Sequence, residues 1–203
     1  MRLLFDVGHP AHVHYFKNII RFLCNDHKIF IIARDKDITY DLLNLMNMNY
    51  FRRGKGASSF FGKFFYLFKG NAIVYKIAKK VKPDILISFS SPYAAQVATM
   101  LKKSHIAFDD TENASIGRLL YKPFTNSVLT PSSFKHKIGY KQIKIDSYME
   151  LMYLHPNYFF PNKNIKKYLG VNQKEKYAIL RFVSWNGNHD LGHSGISDEN
   201  KIR

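Results

Sequence analysis

Short apolar runs alternate along this chain with segments of helical period, and that alternation sets the first expectation about the fold. Leu3 to Val7 has the character of a buried strand and ends at Gly8-His9-Pro10. His14 to Asn25 follows as a helix, with Phe16, Ile19, Ile20 and Leu23 on one face by their three- and four-residue spacings. Lys28 to Ala33 reads as the second strand, Ile38 to Met48 as a helix with acidic residues near its positive end, and Asn49 to Arg53 as a weaker third strand. The Gly/Ser loop Gly54 to Ser59 leads into a helical stretch, Phe60 to Val81, with a break expected at Gly70-Asn71. Ile85 to Phe89 is a strand whose exit, Ser90-Ser91-Pro92, caps a helix ending near Lys102. His105 to Phe108 is the next strand, Ala114 to Tyr121 a short helix, and Ser127 to Leu129 a last strand stopped by Pro131.

Six strands alternating with five helices predict an α/β fold, a Rossmann-like doubly wound parallel sheet over residues 1–150. From Gln142 to Pro161 the alternation fails, and residues 151–176 read as an interdomain connection containing a short helix, Ile165 to Leu169, closed by Gly170. Tyr177 to Trp185 is an apolar strand with no sheet to join, and the helix that Ser197 would cap with Asp198 and Glu199 runs only about one and a half turns before Arg203. Residues 177–203 are therefore expected to open a truncated second domain, the chain being a fragment of a two-domain protein.

Length agrees with this division: 203 residues hold one well-cored domain of ~150 residues and a remainder too short to fold alone. Lys and Arg total 31 against 15 Asp and Glu, and the resulting +16 favours nucleic acid, anionic lipid or phosphorylated ligands, unless the lysines are compositional drift. The basic residues are dispersed and no RNA-recognition, KH or zinc-finger pattern occurs, which argues against nucleic acid. The single cysteine, Cys24, sits in an apolar run, is expected to be buried in a helix, and has no partner for an internal disulfide. The start turns polar too early for a signal peptide and no stretch approaches ~20 apolar residues, so a cytoplasmic location is expected.

Three polar clusters fall at strand exits, where parallel sheets bind ligands. In Gly8-His9-Pro10-Ala11-His12-Val13-His14, the glycine permits a tight turn and the imidazoles can act as acid, base or phosphate-facing donor, or simply cap a helix. In Asp109-Asp110-Thr111-Glu112-Asn113, three close carboxylates repel one another, so that one can be raised in pKa and serve as general base; a solvated loop or a divalent-ion site competes. In Arg181 to Asp190, the polar groups Arg181, Asn186, His189 and Asp190 can face a nucleotide diphosphate. A fourth segment is apolar: in Phe60, Phe61, Phe64, Phe65, Leu67 and Phe68 the helical arc is about 160°, with Lys63 and Lys69 outside it. Such an arc suits either a helix facing the core or one dipping into an anionic membrane surface.

Phe5-Asp6-Val7-Gly8-His9-Pro10-Ala11-His12-Val13-His14, Ala33 to Asp37, Phe108 to Glu112, Tyr153 to Phe159 and Leu180 to Trp185, in this order, resemble domain-of-unknown-function family 354. That family is related in fold to glycosyltransferase B enzymes and UDP-N-acetylglucosamine 2-epimerases. More distantly, His12 and Asp110-Thr111-Glu112-Asn113-Ala114 look like the histidine loop and Glu-Gln-Asn segment of the transferase that adds N-acetylglucosamine to the peptidoglycan lipid precursor. The resemblance implies an acceptor-side domain whose catalytic groups are His12, Asp110 and Glu112. Gly8, His9, His14, Asn113, Arg181, Asn186, His189 and Asp190 would contact the substrate, a nucleotide-activated sugar, with no metal and no further cofactor. The implied activity is glycosyl transfer in surface polysaccharide synthesis, with nucleotide-sugar epimerisation or a noncatalytic module for nucleic acid or anionic surfaces as alternatives, and contact with the inner face of the membrane through Phe60, Phe61, Phe64, Phe68, Lys63 and Lys69.

Overall fold

The computed structural model describes residues 1–57, 59–180, 195–197, 199 and 200, with Phe60 by its backbone alone. The chain divides into two compact units, Met1–Tyr158 and Phe159–Arg203. In the first, β1 (Arg2–Val7), β2 (Lys28–Asp35), β3 (Phe51–Lys55), β4 (Ile85–Phe89), β5 (Ser104–Phe108), β6 (Ser127–Pro131) and β7 (Gln142–Ile145) form one parallel sheet in the order β3-β2-β1-β4-β5-β6-β7. This is the Rossmann-like doubly wound order, lengthened by one strand at the β6 edge. β7 lies where the sequence pattern loses its period: Gln142–Ile145 is a short edge strand of partly exposed residues and so carries no apolar run. Its neighbour β6 keeps Pro131 as its last residue.

Side-chain parity along β1 assigns the two faces. Leu3, Phe5 and Val7 pack with Val13, Phe16 and Ile20 of α1 (Pro10–Leu23), with Leu43 of α2 (Thr39–Leu45), and with Met149. Leu4 points the other way, against Val74, Ala78 and Val81 of α3 (Phe60–Val81) and Ala94, Val97 and Ala98 of α4 (Pro92–Met100). Each fully buried Phe, Leu or Ile contributes about 1.5–3 kcal/mol, and Phe5 and Phe16 meet edge-to-face at 5.2 Å. The same α3/α4 face continues through Ala95, Ala107 and Val128 to Tyr121 of α5 (Ser115–Tyr121). The four-residue helix α6 (Leu151–Leu154) returns to the α1 side, where Asn18 donates to the Met152 carbonyl at 2.9 Å.

Several elements depart from the periodicity. α1 begins at Pro10, four residues before its predicted start, because His9 is extended (φ −153°) and its Nδ1 accepts the Ala11 N–H at 3.2 Å, with Pro10 supplying the first helical φ. His12 and His14 are thus helical residues. α3 runs unbroken through Gly70-Asn71; a Cβ on Gly70 would stand 2.6 Å from the Tyr93 ring, so the glycine serves close packing of α3 on α4. Cys24 is exposed at the end of α1, past the last buried position of that helix. Phe61, Phe64, Phe65 and Phe68 are 58–75% exposed, so the aromatic arc of α3 does not face the core.

In the second unit the described part holds the short helix α7 (Ile165–Tyr168), with Gly170 at φ +66° after it. Residues 177–180 are exposed and form no strand, and the remainder of the strand expected to Trp185 lies outside the described residues.

Inside the sheet, His105 is fully buried between Ser88 and Thr125. Thr125 Oγ1 donates to the backbone carbonyls of His105 and Ser127 and so accepts the Nδ1–H of His105 at 2.9 Å. This leaves Nε2 to accept the Ser88 hydroxyl at 3.0 Å, while Ser88 Oγ accepts the Ser91 N–H at 3.1 Å. Burial lowers this imidazole to about 3, well below the 6.5 of an exposed histidine. The neutral ring is what the fold needs: stability is complete above the unfolded value and falls as pH drops from it toward the folded one. His105→Gln should flatten the acid limb of a urea-unfolding series between about pH 6 and 4, by up to about 1.4 kcal/mol per pH unit. Equal slopes in the two proteins would contradict this account.

Candidate functional site

The strand order reverses between β1 and β4, and the crevice beyond their carboxyl ends is where an open parallel sheet binds ligands. Gly8, His9 and the start of α1 leave β1 there; Ser90, Ser91 and the start of α4 leave β4; Asp109 to Asn113 leave β5.

On the α1 side, His12 stacks on Phe89 at 5.1 Å, and Tyr15 stacks on the same ring at 4.9 Å. The Gly8 N–H donates to His12 Nδ1 at 3.2 Å, which places the imidazole proton on Nε2. Burial, then the charges of His9 and Arg53, lower His12 to about 3, so its ring is neutral at physiological pH and presents a donor. His14 turns elsewhere, its ring 5.8 Å from Tyr153 of α6, and burial and Lys17 lower it also. Gly8 lies outside the left-handed region, and a Cβ there would meet Arg53 Nη2 at 3.6 Å and the His12 ring at 3.8 Å. Its contribution is open space beside these two groups and not the tight turn inferred from sequence.

The acidic segment separates into three environments. Asp109 is buried and fully engaged: it accepts the Thr111 N–H at 3.0 Å and the Tyr121 hydroxyl at 2.5 Å, with Arg118 at 3.9 Å. Asp110 accepts Thr111 Oγ1 at 3.0 Å and the Tyr15 hydroxyl at 3.5 Å; burial, with Asp109 and Glu150 adding repulsion, raises its pKa as close carboxylates should. Glu112 points away, its carboxylate accepting the Lys135 N–H at 2.8 Å, and Asn113 is exposed. The segment therefore does not converge on a cation, and among the described residues no group of three or more His, Cys, Asp or Glu is placed to hold a metal. Arg181, Asn186, His189 and Asp190 lie outside the described residues.

On the α3/α4 face sits a buried ion pair that the motifs did not single out. Arg53 Nη2 is 3.4 Å from Asp6 Oδ1, while Asp6 Oδ2 accepts the hydroxyl of Ser91, the N-cap of α4. The Arg53 guanidinium lies 4.4 Å over the Tyr93 ring. Asp6 was visible only as a polar break in an apolar run; Arg53 gave no signal, since only the sheet order brings the end of β3 to β1.

The family described as "Protein of unknown function (DUF354)" matches residues 1–192. The chain belongs to this family. No curated protein matches the DUF354 chain. Among solved structures it is similar to a UDP-GlcNAc 2-epimerase from Methanocaldococcus jannaschii, with TM-score 0.60 and 15% identity over 84% of this chain and 52% of that one. It is similar also to MurG of Acinetobacter baumannii, with TM-score 0.56 and 11% identity over 70% and 45% of the two chains. A third is the UDP-GlcNAc 2-epimerase of Neisseria meningitidis solved with UDP-GlcNAc, with TM-score 0.55 and 12% identity over 64% and 40%. The DUF354 chain thus has the fold of one half of a glycosyltransferase B-type protein and spans about half the length of the first two structures.

Two substitutions probe this arrangement. Tyr121→Phe leaves a buried Asp109 oxygen without its donor and should cost about 1–3 kcal/mol in urea unfolding. Gly8→Ala, with ordinary contact distances around the new Cβ, should leave the unfolding midpoint within about 0.5 kcal/mol of wild type.

Proposed function

We propose that this chain is the acceptor-side half of a glycosyltransferase-like protein acting on a nucleotide-activated sugar in glycan synthesis. Residues 151–176 would form the connection and 177–203 the opening of the nucleotide-sugar lobe. The observation that carries the reading is the pairing of a neutral donor, His12, and a carboxylate of raised pKa, Asp110, around Phe89 and Tyr15 at the switch-point crevice. The similarity to a 2-epimerase solved with UDP-GlcNAc supports the ligand class.

Within this reading, Asp110 is the general base of choice. His12 has its Nδ1 lone pair committed to the Gly8 N–H, and Glu112 is committed to Lys135. Asp110 takes the proton of an acceptor hydroxyl, the oxygen attacks the anomeric carbon, and the nucleotide diphosphate leaves. His9, His14 and Asn113 are proposed substrate contacts at the rim, with Arg181, Asn186, His189 and Asp190 on the opposite lobe. A second reading, nucleotide-sugar 2-epimerisation, is favoured by the Methanocaldococcus enzyme, which pairs with the larger share of this chain. It needs no acceptor, and NMR of one sugar nucleotide incubated with a full two-lobed protein distinguishes it.

Among the described residues no helix is long and apolar enough to cross a membrane. The exposed Phe61, Phe64 and Phe68 beside Lys63 and Lys69 support peripheral contact with an anionic membrane at its cytoplasmic face.

Two measurements test the proposal. UDP-, GDP- and CMP-sugars are added to a full two-lobed version of the protein in thermal-shift assays, and one class should raise the melting temperature through binding to the folded state; no shift with any would sink it. Wild type should co-sediment with phosphatidylglycerol vesicles at low salt, and Phe64→Ser with Phe68→Ser should abolish this; undiminished sedimentation would remove the membrane contact.

A further inference from the structure

Arg53 occupies an unusual place in its strand. Along β3, Arg52 pairs with Ala33 and Gly54 with Arg34, so Arg53 is the residue left over at a β-bulge, followed by Gly54 at φ +77°. A bulge gives up ladder pairing and re-aims one side chain, a device concentrated beside functional sites. Here the re-aimed side chain is only 2% exposed and ends at the crevice, its Nη2 3.4 Å from Asp6 and 3.6 Å from the open position beside Gly8. A guanidinium has five donors, yet Arg53 Nε and Nη1 have no hydrogen-bond partner. The Tyr93 ring covers a face of the group and offers no lone pair to these atoms.

Arg34, at the end of β2, repeats the pattern. Its Nε is buried without a partner, and its guanidinium fills the space that a Cβ on Gly56 would overlap. Arg34 follows Ile32 by two residues along β2 and so leaves the strand on the α3/α4 face, the face of Asp6. Burial raises the Tyr93 hydroxyl, and the charges of Arg53 and Arg34 oppose that shift. Asp6 does not pair with the unpartnered guanidinium nitrogens: Oδ2 is given to Ser91, and Oδ1 makes only the ionic contact to Arg53 Nη2, without a hydrogen bond of its own. Burying cationic donors without acceptors is unfavourable, and an arriving oxyanion removes that penalty.

We propose that Arg53, aided by Arg34, forms a phosphoryl-binding subsite beside Gly8. Two guanidinium groups against one carboxylate, next to the amino ends of α1 and α4, suit a multiply charged oxyanion better than a single carboxylate. The missing Gly8 side chain leaves a space of one methyl group between Arg53 Nη2 and the neutral His12 ring, and one oxygen of the oxyanion would enter there. In the proposed function this group is a phosphoryl of the substrate, but the subsite does not depend on sugar chemistry.

Isothermal titration of the 203-residue chain with inorganic pyrophosphate at low salt tests it. Binding is expected, weakened about tenfold or more by Arg53→Lys, which keeps the charge and loses the planar fork. Asp6→Asn removes the competing carboxylate and should tighten binding several-fold, a gain that a purely structural ion pair would not give and that is readable even where Arg53→Lys folds poorly. Absence of pyrophosphate binding, equal affinity in folded Arg53→Lys, no gain in Asp6→Asn, or malonate binding as tightly as pyrophosphate would each overturn the subsite. Pyrophosphate binding that follows these variants, with no response to any nucleotide sugar, would instead keep the subsite and reject the proposed function.

Discussion

The carboxylate of Asp6 is the point at which strand, helix and crevice are held together. Buried near the carboxyl end of β1, it binds the hydroxyl that caps α4 and faces the cation carried in from β3. A charge in that position is unfavourable by itself, and losing Arg53 would leave it uncompensated, a change typically worth about 3–5 kcal/mol. The side chain of Arg53 and the start of α4 meet at this one group. Stability alone does not require it, since an apolar replacement of similar volume is often neutral.

The sheet separates two kinds of chemistry by parity. Odd-numbered residues of β1 face α1, where aromatic rings organise a neutral imidazole and a protonation-prone carboxylate; Asp6 and Arg53 lie on the other face with Ser88, His105 and the polar chain that crosses the sheet interior. The faces meet at the strand exits, where His12 feels Arg53 and a Cβ on Gly8 would stand within 4 Å of both. A doubly wound sheet thereby brings a side lined by aromatic rings, an imidazole and a carboxylate, and a cationic side, to one crevice.

Much of this fold is legible from periodicity, because parallel strands buried on both faces read as apolar runs. β1, β4 and β5 are such runs; β7 is not, since an edge strand of four residues has little to bury. The site is legible where its residues leave a strand directly: Asp110 stands out as one of three adjacent carboxylates and His12 as one of three histidines near a glycine. Which carboxylate is free is a tertiary fact, decided by Tyr121, Arg118 and the Lys135 amide from elsewhere in the chain. Arg53 is illegible for the same reason, being one of 31 basic residues until a bulge and a strand order give it a direction. The α3 arc shows the converse, an apolar pattern that suits a core or a membrane surface equally until exposure of Phe61, Phe64, Phe65 and Phe68 excludes the core.

Cys24 closes α1 at the end remote from the strand exits, about 21 Å along a helix of 14 residues. As the sole thiol in the sequence and an exposed one, it provides a single covalent handle on the far side of the molecule. A dye or spin label attached there reports the tumbling and orientation of the sheet while leaving the crevice, the histidine turn and the aromatic arc untouched.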